Sequence, residues 1–249
     1  MHEMSYTKKP EMIFFDSGGT LLKDGPFSPR EGLRAVLQCS DNGRPQDLDK
    51  MMQCWNEIYD EAHPYYKSRS GVEADINLPG ILKYIFMKCG LKFSVSMAEL
   101  EEVFDRYDTP REVMPGIVNL LQYLDSEGIR AAVISNNMVS GDGLALAIAR
   151  WLPEAKMEFV LTSADLILAK PWAGLFEAAA GYAGVDPANC WYCGDGVIPD
   201  VDGARNGGMT PVLIDSKAQQ PVEYRTDGGR EAYLTVRHWD ELVKILQAL

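Results

Sequence analysis

The sequence predicts an α/β protein, a doubly wound parallel sheet with an α-helical segment inserted after its first strand. Short, continuous apolar runs at Met12–Phe15, Ala131–Ile134, Phe159–Leu161 and Cys190–Cys193 have the character of strands buried on both faces. Amphipathic helical patterns separate the later runs, and that alternation is how a parallel sheet covered on both sides is written. The stretch 24–110 departs from it, because its apolar periodicity is helical throughout.

Each element has its own signal. Met12-Ile13-Phe14-Phe15 stops abruptly at Asp16-Ser17-Gly18-Gly19-Thr20, a buried strand giving way to a turn. Within 24–110, Leu48, Met51, Met52, Trp55 and Tyr59 form one helical stripe. Leu78, Ile81, Leu82 and Ile85 form a second, and Met97, Leu100, Phe104 and Tyr107 a third. Their ordinary use is the insertion's own core. His63-Pro64-Tyr65-Tyr66-Lys67 falls between two stripes and is a candidate loop for substrate contact. Ile117, Leu120, Leu121 and Leu124 follow helical spacing after Pro115-Gly116 and stop at Gly128; Trp172, Leu175, Phe176 and Ala179 repeat it after Pro171. Gln219–Arg230 reads as a loop before a short strand, Tyr233–Val236, and Trp239, Leu242, Val243 and Leu246 mark a last helix. The expected division is a core of 1–23 and 111–249 around an insertion of 24–110.

Charge and cysteine content narrow the function classes. The 249 residues carry 24 basic and 36 acidic side chains, a net charge of −12. Ten basic and fifteen acidic residues lie in 24–110, so the excess is spread along the chain. This excludes a phosphate-backbone binder, which needs clustered cations, and no nucleic-acid partner is expected. Five irregularly spaced cysteines suit reduced thiols in a cytoplasmic protein. Cys190 and Cys193 form a C-x-x-C, but three positions apart on a strand they face opposite ways. Met1–Pro10 has no apolar signal core and no stretch has the eighteen apolar residues of a membrane span, so no membrane partner is expected.

In a parallel sheet, ligands gather at the carboxyl ends of the strands. Asp16 follows the first strand, Ser135 and Asn136 the second, and Asp195 follows Cys190–Cys193 after Gly194. Singly, each suits a turn or helix cap. Together with Lys170 they comprise two carboxylates able to share a cation, a hydroxyl and an amide able to donate to an anion, and a lysine.

These residues resemble the haloacid dehalogenase superfamily, motif by motif and in order, across nearly the whole chain. The first motif stands as Phe14-Phe15-Asp16-Ser17-Gly18-Gly19-Thr20, the second as Ile134-Ser135-Asn136-Asn137 and the third as Lys170-Pro171. The fourth is Gly194-Asp195-Gly196-Val197-Ile198-Pro199-Asp200, then Gly203-Ala204. The resemblance implies a Rossmann-like core and makes the insertion a helical cap. It implies that Asp16 is the nucleophile of a phosphohydrolase, forming an aspartyl-phosphate. It implies a magnesium ion held by Asp16, the Gly18 carbonyl and Asp195, with Asp200 in support directly or through water. Ser135, Asn136 and Lys170, with the loop of Gly18 and Gly19, would hold the phosphoryl oxygens of a small phosphorylated metabolite.

One position departs from the pattern. The family's phosphatases carry a second aspartate two residues after the nucleophile, as general acid and base, and here that residue is Gly18. Such assistance is typically worth about 10² to 10⁴ in rate. The readings this leaves are a phosphohydrolase specialised for good leaving groups or borrowing an acid from the cap, a 2-haloacid dehalogenase, a phosphonate hydrolase, and a silent phosphate or metabolite binder. The acidic pair Asp195 and Asp200 speaks against the dehalogenase. The phosphonate reading asks for a cap lysine among Lys50, Lys67, Lys83, Lys88 and Lys92.

Overall fold

The computed structural model describes residues 6–62, 76–166 and 168–249. His63–Lys67, the loop singled out in the sequence, lies outside the described residues. The chain opens with β1 (Met12–Phe15) and β2 (Leu22–Asp24), then runs through α1 (Pro29–Gln38), α2 (Asp47–Asn56), α3 (Leu78–Cys89) and α4 (Met97–Asp108) before β3 (Arg111–Val113). There follow α5 (Ile117–Glu127), β4 (Arg130–Ser135), α6 (Gly141–Trp151), β5 (Val160–Thr162), α7 (Ser163–Leu166) and α8 (Ala173–Ala183). The last part comprises β6 (Cys190–Gly194), α9 (Gly203–Asn206), β7 (Thr210–Ile214), β8 (Val222–Arg225), β9 (Tyr233–Val236) and α10 (Trp239–Ala248).

Seven of the described strands form one sheet in the order β5-β4-β1-β6-β7-β9-β8, parallel except where β8 runs against β9. β1 lies between β4 and β6, with Phe15 level with Val133 and Cys193. This is the doubly wound architecture expected from the apolar runs. Strand alternation sorts the core into two layers. Ile13, Phe15, Val133, Trp191 and Cys193 join α5, α6 and α10 on one face. Met12, Phe14, Ile134, Cys190 and Tyr192 meet Leu175, Phe176 and Ala179 of α8 on the other. Cys190 and Cys193 are thus free thiols on opposite faces.

Between β2 and β3 the described elements are helical, as the periodicity predicts, and most of their apolar stripes run into the core of one sheet face, while Tyr59 and Tyr107 are exposed. Ser96 and Glu99 close a capping box that starts α4. Buried Glu101 on α4 accepts the backbone N–H of Ser140 (2.8 Å) and its hydroxyl, at the N-terminus of α6. Glu102 pairs with Arg150 at the other end of α6 (2.6 Å). A carboxylate on an otherwise open helix start is electrostatically favourable, and these two glutamates tie α4 along α6.

The structure contains four strands that the sequence reading did not, β2, β3, β7 and β8. β7 is buried along its length in the centre of the sheet, yet Pro211 argues against a strand because it removes a ladder donor. It is accommodated because Pro211 lies one residue before the β9 ladder begins at Val212. Gln219–Arg230 is not all loop: it contains β8, an edge strand whose Arg225 pairs with Asp215 (2.8 Å) and Glu223 (2.6 Å). Charged side chains on so short an edge hide the strand from a hydrophobicity reading while discouraging edge pairing.

Candidate active site

Asp16 leaves the carboxyl end of β1 with its backbone N–H bonded to the Cys193 carbonyl (2.9 Å), and its side chain is 13% exposed. The loop after it is wound tightly. Ser17 O accepts from the N–H groups of Leu21 (2.9 Å) and Leu22 (3.0 Å), and Gly19 N–H bonds Leu22 O (2.7 Å). Gly19 has φ +67°, and a Cβ there would lie 2.1 Å from Asp195 Oδ2. Glycine is required at 19 on both counts.

Lys170 stands opposite, with its ammonium almost completely out of solvent. It lies 2.9 Å from Asp16 Oδ1 and 2.6 Å from Asp200 Oδ1, and donates to the Tyr192 hydroxyl at 2.8 Å. Burial opposes this charge, but Asp16 and Asp200 outweigh it and hold the ammonium above the usual lysine range. The Tyr192 hydroxyl in turn donates a hydrogen bond to the Ile134 carbonyl (2.7 Å). Burial, then the charges of Asp200 and Asp16, push that phenol far up, so it stays protonated. Asp200 is buried and bonded on both oxygens, by Lys170 and by Gly196 N–H (2.8 Å). Its close approach requires glycine at 194, where a Cβ would lie 2.3 Å from Asp200 Cγ.

Asp195 reaches the same place from the end of β6. Carboxylate oxygens of Asp16, Asp195 and Asp200 lie within 4.8 Å of one another. Burial, then the charges of Asp16 and Asp200, raise Asp195 to about 6. One ammonium against three carboxylates leaves negative charge uncompensated, and an all-oxygen donor set suits a hard dication such as magnesium.

The structure therefore brings together Asp16, Lys170, Asp195 and Asp200. Ser135 ends β4, the strand beside β1, and is buried with no side-chain hydrogen-bond partner among the described residues. Its hydroxyl is free to donate. Asn136 is used differently from the expectation. Its Oδ1 accepts from Lys170 N–H (2.7 Å) and its Nδ2 donates to Lys170 O (3.0 Å), so the amide clamps the lysine's backbone and positions it. Tyr192 was absent from the sequence-based set. The available signal was a tyrosine in an otherwise apolar buried strand, whose hydroxyl must find partners. Among the lysines named for phosphonate chemistry, Lys67 lies outside the described residues. Lys88 pairs with Glu57 (2.5 Å), and that hydrogen bond holds it above its usual range, the reverse of what a Schiff-base amine needs.

Known proteins resemble the chain along most of its length. The family model of haloacid dehalogenase-like hydrolases matches residues 10–208. Haloacid dehalogenase-like hydrolase domain-containing protein 3 of Danio rerio is 23% identical over 221 residues, 84% of this chain and 86% of that protein. Glyceraldehyde 3-phosphate phosphatase of Methanothermobacter thermautotrophicus is 25% identical over 209 residues, 82% of this chain and 85% of that one. Among solved structures, an HAD phosphatase from Thermococcus onnurineus superimposes with a TM-score of 0.52 at 23% identity, covering 94% of this chain and 97% of that one. A 2-haloacid dehalogenase from Pseudomonas syringae gives 0.56 at 19% identity, covering 97% and 99%. At these identities the structural likeness establishes the fold. Among the described residues, no helix is long and apolar enough to cross a membrane.

Proposed function

The chain belongs to the haloacid dehalogenase-like hydrolases, and from that premise we propose that it hydrolyses small phosphorylated metabolites through an aspartyl-phosphate on Asp16, with magnesium as cofactor. The observation that carries this reading is the convergence of Asp16, Asp195 and Asp200, with oxygens within 4.8 Å of one another, beside a lysine 2.9 Å from Asp16. A halide leaves carbon without needing a cation, whereas a carboxylate meeting a phosphoryl dianion must overcome like charge. The relative named as glyceraldehyde 3-phosphate phosphatase supports a phosphate-ester substrate.

Asp16, Asp195 and Asp200, with the Gly18 carbonyl, would hold the magnesium ion. When bound there, the ion supplies neutralising charge for phosphoryl transfer. The chain's own residues do the rest. Asp16 attacks phosphorus and is left phosphorylated while the leaving oxygen departs. Lys170, fixed by Asn136 and Tyr192, sets a positive charge beside the nucleophile, and the unpartnered Ser135 hydroxyl donates to a phosphoryl oxygen. The cap reading of 24–110 also belongs here. The pairing of β2 with β3, at which the chain leaves and re-enters the sheet region, supports it.

The test is a panel of acyl, aryl and sugar phosphates with and without magnesium, with acid quenching and peptide mass mapping. A phosphoryl group on the Asp16 peptide, absent from Asp16→Asn, is expected. No turnover across the panel and no thermal shift with magnesium and beryllium fluoride would overturn the phosphohydrolase reading. Halide release from 2-haloacids without magnesium would establish the dehalogenase instead.

A further inference from the structure

Gly18 stands where the family's phosphatases have their acid, and the structure shows what fills the space a side chain there would enter. A Cβ built on Gly18 would lie 2.7 Å from Asp24 Oδ2 and 3.7 Å from Asp24 Cγ. Gly18 is not among the positive-φ glycines, so its backbone does not demand glycine. Its neighbour does.

Asp24 is delivered by long-range pairing. The loop closes through the Gly18–Leu22 bridge, and β2 then runs antiparallel to β3 with Leu22, Lys23 and Asp24 opposite Val113, Glu112 and Arg111. Strand alternation puts Asp24 on the same face as Leu22, which is fully buried, and turns Lys23 away. Arg111 Nε holds Asp24 Oδ1 at 2.6 Å. Arg111 is itself locked, its side chain 8% exposed and its guanidinium paired with buried Asp105. Oδ2, the oxygen nearest the Gly18 position, has no hydrogen-bond partner among the described residues, and the Asp24 side chain is 44% exposed.

We propose that Asp24 is the general acid and base of this enzyme, a carboxylate returned by the β2–β3 ribbon to the volume left free at Gly18, with Arg111 as its positioning residue. The inference rests on the phosphohydrolase reading. In the first step Asp16 forms its bond to phosphorus, the bond from phosphorus to the leaving oxygen breaks, and the Asp24 proton passes to that oxygen, releasing an alcohol. In the second step water attacks phosphorus and gives its proton to the Asp24 carboxylate. The Asp16–phosphorus bond breaks, and inorganic phosphate and both aspartates are restored. Leaving groups that need no proton should bypass the first role of Asp24 but not the second.

The experiment compares full-length wild type, Asp24→Asn and the swap Gly18→Asp/Asp24→Gly, on an alkyl phosphate and on 2,4-dinitrophenyl phosphate, in magnesium buffer. Folding is checked by melting temperature. In single turnover, Asp24→Asn should slow release of the alkyl alcohol by about 10² to 10⁴ and release of dinitrophenol by less than about tenfold. With dinitrophenyl phosphate, intact mass should show the variant accumulating a phosphoryl group on Asp16 that wild type clears. The swap should recover alkyl phosphate turnover, whereas Gly18→Asp alone should not, because its carboxylate collides with Asp24. Equal slowing of both leaving groups, or unchanged alkyl release, overturns the assignment while the wild-type phosphoenzyme still stands. No turnover of either phosphate by wild type, with no acid-quenched phosphoryl group on its Asp16, overturns the phosphohydrolase reading and this inference with it.

Discussion

Replacing Lys170 with methionine keeps most of the side chain's volume and removes one buried charge. The ammonium lies 2.9 Å from Asp16 and 2.6 Å from Asp200, and the Lys170 and Asp200 side chains are each 2% exposed. Lys170→Met therefore strands a buried carboxylate, a change that typically costs about 3–5 kcal/mol. For a chain of this size each kcal/mol is worth roughly 2–4 °C in melting temperature, so a fall of about 6–20 °C is expected in metal-free buffer. Two controls separate stranded charge from lost packing. Lys170→Met/Asp200→Asn should melt higher than Lys170→Met, because it removes the carboxylate the first change orphans. Saturating magnesium should raise the melting temperature of Lys170→Met more than that of wild type, since a cation among Asp16, Asp195 and Asp200 supplies the charge the lysine no longer does. The assay is thermal unfolding followed by circular dichroism, with chelator or with magnesium. A single variant within about 1 kcal/mol of wild type, or a double variant no more stable than the single, would refute the charge argument.

Two further outcomes are expected from the same geometry. Gly19→Ala places a methyl group 2.1 Å from Asp195 Oδ2 on a backbone with φ +67°. It should cost about 1–2 kcal/mol in backbone conformation alone and weaken magnesium binding at least about tenfold by titration calorimetry; unchanged binding would disprove the close approach. Asp108 is buried with Oδ1 unpartnered among the described residues, and burial, then the charge of Asp105, raise it from 3.8 to about 8. Between those values the folded chain holds a proton that the unfolded chain has released, so this group's stability contribution is full below about 4 and lost as pH rises towards 8. The loss by pH 7 is on the order of 4 kcal/mol. Asp108→Asn should therefore flatten the decline in melting temperature between pH 5 and pH 8, and parallel declines in both proteins would show that Asp108 is not its source.

The parallel sheet was legible because its signals are local. Continuous apolar runs, helical stripes and glycine stops each lie within a dozen residues, and β1, β4, β5 and β6 follow them closely. β7 was missed because Pro211 is a local contradiction that only the strand's place in the ladder resolves. β2 and β3 were missed because strands of three residues carry too little pattern, and their pairing partner is remote. At the site, Asp16, Ser135, Lys170 and Asp195 could be named because each follows its strand or precedes its helix, and Asp200 because the family's fourth motif places it. The task of Asn136 could not, because its side chain answers a backbone 34 positions away.

By itself, the sequence determined which chemistry-bearing residues stand at the carboxyl ends of the strands, and, through its resemblance to the family, that an acid is missing at Gly18. Only the tertiary structure decided what occupies that place. Asp24, in sequence merely the first residue of the helical insertion, is drawn beside Gly18 by a turn and a strand pair whose partner, Arg111, lies 87 positions on. Strand and helix periodicity is a property of neighbouring residues and can be read along the chain. The position of a carboxylate against a nucleophile is set by closure of a long loop, and its free energy comes from contacts the chain makes only once folded.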